Sequence, residues 1–466
     1  MIKLYFQNVE KNSRIIPYEF LDNEKEGTYM AKSTFVGGIH PYEGKELSMD
    51  KSIRVVLPKG DLVYPLSQHI GAPATPIVKK GDYVLQGQKI AEATGFVSAP
   101  IYATVSGTIK AIEPRRVVTS NEVMSIVIEN DGRYEEVDYP DRKPYEEMTR
   151  EEIIDIIKEA GVVGMGGAGF PTFIKLSPKE PEKIDYVIVN GAECEPYLTS
   201  DYRRMIEEPE KVIQGLKIML QLFPNAKGIL AIEDNKPQAI ALMKRLTANE
   251  TDIIVKPLKT KYPQGAERGI IYATTGRAIH SGKLPADAGC IVDNVDTVVA
   301  IYHAVVQGKP LMYRIVTVTG DAIADPRNFM VRIGTSYHEL LEEAGGFKKE
   351  PIKIISGGPM MGFAMFDTHV PTTKIASALL CLTKDDVADM KPTACINCGR
   401  CVEVCPSRLV PNHLMDAAMH DDSETFLKLE GLECVECGCC SYACPGKRPL
   451  AQAIKSMRKT ELAKKK

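Results

Sequence analysis

Cys395-Ile-Asn-Cys398-Gly-Arg-Cys401-Val-Glu-Val-Cys405-Pro406 and Cys434-Val-Glu-Cys437-Gly-Cys-Cys440-Ser-Tyr-Ala-Cys444-Pro445 are the stretches that decide this chain. Each reads C-x2-C-x2-C-x3-C-P. Three thiolates at i, i+3 and i+6 can wrap three corners of one iron-sulfur cube, and the proline turns the fourth cysteine away toward another. The spacing therefore predicts two [4Fe-4S] clusters with exchanged fourth ligands. Cluster one takes Cys395, Cys398, Cys401 and Cys444; cluster two takes Cys434, Cys437, Cys440 and Cys405. Between the motifs, residues 407–432 read as helical on Leu414, Ala417, Ala418, Phe426 and Leu427, and residues 449–458 as a closing helix.

The spacing is that of a bacterial two-cluster ferredoxin. Structural zinc is the competing reading, but zinc sites pair C-x2-4-C units and have no use for a third cysteine at the same step. Disulfides are disfavoured because no secretory signal opens the chain. Cys439 is spare and reads as a thiol beside the cluster. Length, at 466 residues, suggests about three to four domains. A net charge of −3 gives no reason to expect nucleic acid. No apolar run approaches the roughly 20 residues that span a bilayer. The eight histidines show no ligand spacing.

Working outward, residues 1–33 read as an extension, polar and without clean periodicity over 1–29. Residues 34–135 hold short alternating strands punctuated by glycines, in Pro76–Ala91 and Ser98–Ile109. These two halves resemble a lipoyl/biotinyl-type sandwich. Its hairpin carries Gly95-Phe96-Val97-Ser98 and no lysine, so it reads as scaffold. Residues 136–310 alternate helix and strand as an α/β domain with mostly parallel pairing. Its first helix runs through Ala160 from a Thr149 cap, with Glu152 completing a capping box. Residues 311–378 are strand-rich and suggest a β-grasp-like module. Residues 379–391 read as a linker and short helix into the cluster domain at 379–458, and the Lys-rich 459–466 as a solvated tail. The expected fold is multidomain α/β and β: a lipoyl-like sandwich, an α/β flavin-binding domain, a β-grasp-like module and a helical two-cluster domain.

Gly164-Met-Gly166-Gly167-Ala-Gly169-Phe170-Pro171 matches G-x-G-x-x-G. The dinucleotide fingerprint needs a strand before that run and a long helix after it. Here a helix precedes, and Pro171 with Pro178 leaves no room for a long one. A plain structural loop or a flavin cradle remain. In the second, glycines let backbone N–H groups approach an anionic phosphate or ring edge, and Lys175 supplies positive charge.

Gly164–Lys175 resembles the glycine-rich loop of the flavin-bearing, NADH-binding subunit of respiratory complex I. Asn190-Gly-Ala-Glu193-Cys-Glu195-Pro196, Tyr262-Pro-Gln-Gly265-Ala-Glu267 and Val292-Asp-Asn294-Val-Asp296-Thr297 keep that family's order. The resemblance implies an FMN pocket lined by Gly164, Gly166, Gly167, Gly169, Lys175, Asn190, Glu193, Tyr262, Gly265, Glu267, Asn294 and Thr297, with Phe170 and Glu195 facing NADH. Met165, Ala192 and Ala266 depart from that pattern. Across residues 34–455 the whole set resembles the C-subunit family of Rnf electron-transport complexes. That implies non-covalent FMN, two [4Fe-4S] clusters and NAD(H) as substrate. It also implies membrane and peripheral partner subunits, ferredoxin as an indirect partner, and a peripheral place on the cytoplasmic face of a prokaryotic membrane. No catalytic residue beyond the cofactors is expected. A soluble paralogue feeding a cobalamin or substrate reductase, and a scaffold with a degenerate flavin pocket, are the alternatives.

Overall fold

The computed structural model of the chain describes residues 33–385 and 387–464. The 1–29 segment of the expected extension lies outside the described residues.

The N-terminal module stacks two small antiparallel sheets. One orders strands Leu62–Pro65, Glu122–Asn130, Gly107–Arg116 and Tyr83–Val84; the other orders Thr75–Pro76, Lys89–Glu92 and Ile101–Tyr102. Alternate side chains point inward, so Leu62, Tyr64, Ile90, Ile109, Ile126 and Ile128 form a closed core. Gly107 sits at φ 154°, and a Cβ there would strike the Glu129 carbonyl. At the hairpin, Phe96 is 78% exposed and meets Phe173 edge-on, with ring centroids 6.4 Å apart.

Next comes a four-stranded sheet in the order Ile253–Leu258, Lys227–Glu233, Tyr186–Gly191, Cys290–Asn294, parallel throughout. Both faces are covered, which is why these strands read as continuous apolar runs. Helices Arg150–Glu159, Pro209–Gln221 and Val295–Gln307 close one face. Helix Glu267–Thr275 closes the other. The expected capping box forms: Thr149 Oγ1 accepts from Glu152 N at 3.2 Å, and Glu152 accepts from Thr149 N at 2.7 Å.

The β-rich module is a six-stranded sheet in the order Arg54–Val55, Arg327–Arg332, Tyr313–Thr319, Ala378–Leu382, Lys353–Ser356, Phe363–Met365, with helix Tyr337–Glu343 packed against it. One expectation is corrected here. The linker read over 379–391 begins as a strand, Ala378–Leu382, which pairs with Tyr313–Thr319 on one side and Lys353–Ser356 on the other. A strand buried on both faces has no alternation to betray it. No helix follows over 387–391.

Lys374 ties three modules together. Its buried Nζ donates to Pro100 O and Gly161 O, each at 2.7 Å. The last module carries helices Arg400–Glu403, Pro411–Met419, Ser423–Lys428, Cys439–Ala443 and Leu450–Lys464 around Leu414, Phe426, Ile454 and Met457. Lys459 and Lys464 are exposed, but the closing helix runs further than the expected 458. The closing helix continues to Lys464 because Glu461 is buried, where it accepts from Ser423 Oγ at 2.8 Å and from Lys464 Nζ at 2.6 Å.

Candidate functional site: a glycine-lined cleft and two thiol-lined cavities

In the parallel sheet, strand order reverses between Tyr186–Gly191 and Cys290–Asn294, the first strand and the last in sequence. Open α/β sheets bind ligands outside the carboxyl ends of strands at such a switch point. Asn190 and Asn294 stand at those ends, register partners across the pair. A cleft of about 1320 Å³ opens there.

The glycine loop forms one wall. It is closed by Gly164 N donating to Phe170 O at 2.8 Å. Gly166, at φ 123°, lies against Asn294, where a Cβ would come within 3.2 Å. At Gly167 a Cβ would meet nothing within 4 Å: it would simply occupy the cleft. Asn294 caps the Val295–Gln307 helix and also donates to Asp201 Oδ2 at 2.7 Å. Burial, with Glu193 and Asp296 nearby, pushes Asp201 up to about 7. Asn190 Nδ2 donates to Gly265 O at 2.9 Å, bringing the Tyr262–Gly265 segment to the cleft.

Lys175, on the short Thr172–Lys175 helix, donates to Val292 O at 2.9 Å and pairs with Glu267 at 3.3 Å and Asp293 at 3.7 Å. Burial opposes its charge, but Asp293 and Glu267 outweigh burial and hold its pKa above the usual value. Asp293 is itself pushed up to about 6 by burial, with Lys175 pulling back. Both its carboxylate oxygens are buried without a hydrogen-bond donor. An orphaned acceptor in a cleft calls for a donor from a ligand, and flavin ring N–H and ribityl O–H groups are of that kind. The open space over Gly167, the Lys175 cation and the Asp293 acceptor together fit FMN.

Of the expected residues, Gly164, Gly166, Gly167, Phe170, Lys175, Asn190, Gly265, Glu267 and Asn294 line the cleft. The rest do not. Gly169 turns at φ 72° beneath Ile375. Thr297 is fully buried and accepts from Met165 N at 2.9 Å, bracing the loop from behind. Glu193 accepts from Asp201 N at 2.8 Å at the start of helix Ser200–Glu207. Glu195 Oε1 accepts from Met360 N at 2.7 Å and Met361 N at 3.2 Å. Tyr262 is buried and donates to Cys437 O at 2.8 Å. Sequence reasoning missed Asp293; its place inside the Val292–Thr297 segment was the available signal.

The eight cysteines divide between two cavities as the spacing predicts. Cys395, Cys398, Cys401 and Cys444 line one. Cys405, Cys434, Cys437 and Cys440 line the other, with Cys439 beside them. The two motifs repeat their backbone as well as their spacing. Asn397 and Glu436 are left-handed at φ 52° and 57°, Gly399 and Gly438 at 77° and 79°. Asn397 N donates to Cys395 Sγ and Glu436 N to Cys434 Sγ, both at 3.4 Å. Among the described residues no three His, Cys, Asp or Glu side chains converge as a single ion requires. The thiols ring the two cavities, four around each, which fits a cube. Burial pushes the Cys434 thiol up to about 11 and the Cys440 thiol up to about 12.

Four family models match the chain in order. They are the RnfC barrel sandwich hybrid domain over residues 33–133, the Nuo51 FMN-binding domain over 157–303, the SLBB domain over 315–364 and the 4Fe-4S dicluster domain over 389–448. Among curated proteins, the C subunit of the proton-translocating ferredoxin:NAD(+) oxidoreductase complex of Clostridium ljungdahlii is 47% identical over 386 residues, 83% of this chain and 84% of that protein. The C subunit of the Na(+)-translocating complex of Acetobacterium woodii is 46% identical, covering 82% and 87%. The C subunit of an ion-translocating oxidoreductase complex of Vibrio cholerae is 40% identical over 86% of this chain and 52% of its own length.

Proposed function

The chain belongs to the C-subunit family of ion-translocating ferredoxin:NAD(+) oxidoreductase complexes, the Rnf complexes, and on that premise we propose how its residues divide the work. It is the peripheral electron-transfer subunit of such a complex, carrying FMN and two [4Fe-4S] clusters, with NAD(H) as substrate and the other Rnf subunits as partners. The alternative of a soluble donor to a cobalamin or substrate reductase gives way to relatives named as subunits of translocating complexes.

A bound flavin takes electrons in pairs from a nicotinamide and passes them singly to iron-sulfur cubes. The chain's residues supply the setting. Gly166 and Gly167 let the backbone approach the ligand, Lys175 meets the phosphate, Asn190 holds Gly265 at the cleft and Asn294 caps the helix that follows its strand. Asp293 and Glu267 offer acceptors, and Phe170 gives the nicotinamide an apolar wall. Cys395, Cys398, Cys401 and Cys444 would hold one cube; Cys405, Cys434, Cys437 and Cys440 the other. No helix among the described residues is long and apolar enough to cross a membrane; the relatives' place in multisubunit complexes supports attachment through partner subunits. We place the protein on the cytoplasmic face, where NAD(H) is.

The observation that carries this reading is the separation of sites: one glycine-lined cleft at a switch point, and two four-thiol cavities that share ligands between motifs. Anaerobically purified protein should contain one FMN and about eight irons, bleach on adding NADH, and co-purify with integral membrane subunits. Two zincs without sulfide, or a flavin indifferent to NADH, would overturn it.

A further inference from the structure

Two residues that the family resemblance places at the flavin or the nicotinamide do other work here. Tyr262 points away from the cleft. Its hydroxyl donates to Cys437 O at 2.8 Å, and Cys439 Sγ donates back to Tyr262 O at 3.9 Å. Glu195 reaches the Gly357–Gly362 loop of the β-rich module, where one oxygen, Oε1, takes both the Met360 and Met361 amides. Met360 in turn lies over Gly438: a Cβ on that glycine would be 3.5 Å from Met360 Cε and 3.6 Å from Met360 O. The Cys437-Gly438-Cys439 turn is thus held from two sides by two different modules. Gly358 leaves room for this, since a Cβ there would overlap the Glu195 carboxyl.

We propose that Tyr262 and Glu195 are positioning residues for the Cys437–Cys440 ligand turn, fastening the second cube to the carboxyl edge of the parallel sheet. Tyr262 grips the turn directly; Glu195 presses Met360 onto it. The assignment rests on both cubes being present in the protein.

The test uses anaerobic holoprotein carrying Tyr262→Phe or Glu195→Ala. Three quantities are read: iron release to a chelator, the electron paramagnetic resonance spectrum of the reduced clusters, and flavin content. Tyr262→Phe loses one hydrogen bond and Glu195→Ala two; at about 1 kcal/mol per bond, one lost bond corresponds to about fivefold more frequent opening of the turn. Four of the eight irons should therefore leave about fivefold faster in Tyr262→Phe and faster still in Glu195→Ala, given two four-iron cubes. One cube's signal should change, the other's should not, and FMN should stay bound. Glu195→Gln keeps an oxygen at the Oε1 position and should restore the wild-type rate. Iron release unchanged, accelerated alike for all eight irons, or accompanied by loss of flavin would overturn the proposal. If Tyr262→Phe does not fold, the Glu195→Ala and Glu195→Gln pair decides. Wild-type protein without iron would refute the cluster assignment itself.

Discussion

Lys175→Met should cost the protein its FMN and leave its iron in place. Lys175 Nζ has three donors. One is committed to Val292 O at 2.9 Å, while the contacts to Glu267 at 3.3 Å and Asp293 at 3.7 Å are loose enough to be re-aimed at an incoming anion. A charge-assisted hydrogen bond contributes about 1.5–3 kcal/mol, so FMN should bind roughly 10- to 150-fold more weakly, at 1.4 kcal/mol per factor of ten. Riboflavin, which lacks the phosphate, should bind both proteins alike. The variant should also become pH-sensitive. Asp293 already has a folded pKa raised from 3.8 to about 6, so the folded state disfavours its ionised form: stability from this group is fullest below 3.8 and is lost as pH rises toward 6. Without Lys175 the pull on Asp293 vanishes and its pKa climbs further. A second buried charge then repels FMN at pH 8 and is neutralised in acid, so part of the lost affinity should return between pH 8 and 6. The assay is fluorescence titration of flavin-stripped protein with FMN and riboflavin at three pH values, with iron measured alongside. Equal losses for FMN and riboflavin would show that Lys175 does not face the phosphate. Iron lost with the flavin would show that cleft and clusters are not separate sites.

Ligand sharing predicts that Cys405→Ser removes the same cube as Cys437→Ser, and Cys444→Ser the same cube as Cys398→Ser; paramagnetic resonance on the four variants would show it, and pairing within each motif would refute it. Gly167→Val puts bulk only into the cleft, so circular dichroism and iron content should hold while FMN binding falls at least tenfold in the same fluorescence titration. Burial lowers Lys374 to about 7, so the charged form is disfavoured in the fold and stability at this junction should rise between pH 7 and 10.5. Protection factors of the amides flanking Pro100 and Gly161, after correction for base-catalysed intrinsic exchange, should rise over that range in the wild type and not in Lys374→Met.

Much of the site was legible because its chemistry leaves fixed spacing. Cysteine steps of three and a following proline determine both the cluster type and the exchange of ligands, and the two cavities gather those same thiols. The parallel sheet was legible from its apolar runs. What escaped was tertiary. Ala378–Leu382 carries no period because both its faces are buried, and Glu461 anchors the last helix through a contact no local pattern announces. Tyr262 and Glu195 sit inside motifs that also line the cleft, so sequence order alone assigned them to it; their side chains turn the other way. Arg54–Val55, joining the β-rich sheet from the N-terminal region, is a long-range pairing of two residues with no cue at all.

The proposed exchange of fourth cysteines has a consequence for how this protein is made and how it fails. Neither cube can be completed while only one motif has emerged from the ribosome: one waits for Cys440 and the other for Cys444. Once both are in place, damage to either cube frees a thiol of the other's motif. Cys395 and Cys398 are the exposed pair, so oxygen would reach their cube first. The buried cube would then lose its neighbour before losing its own iron, an order of decay that a timed air exposure would record.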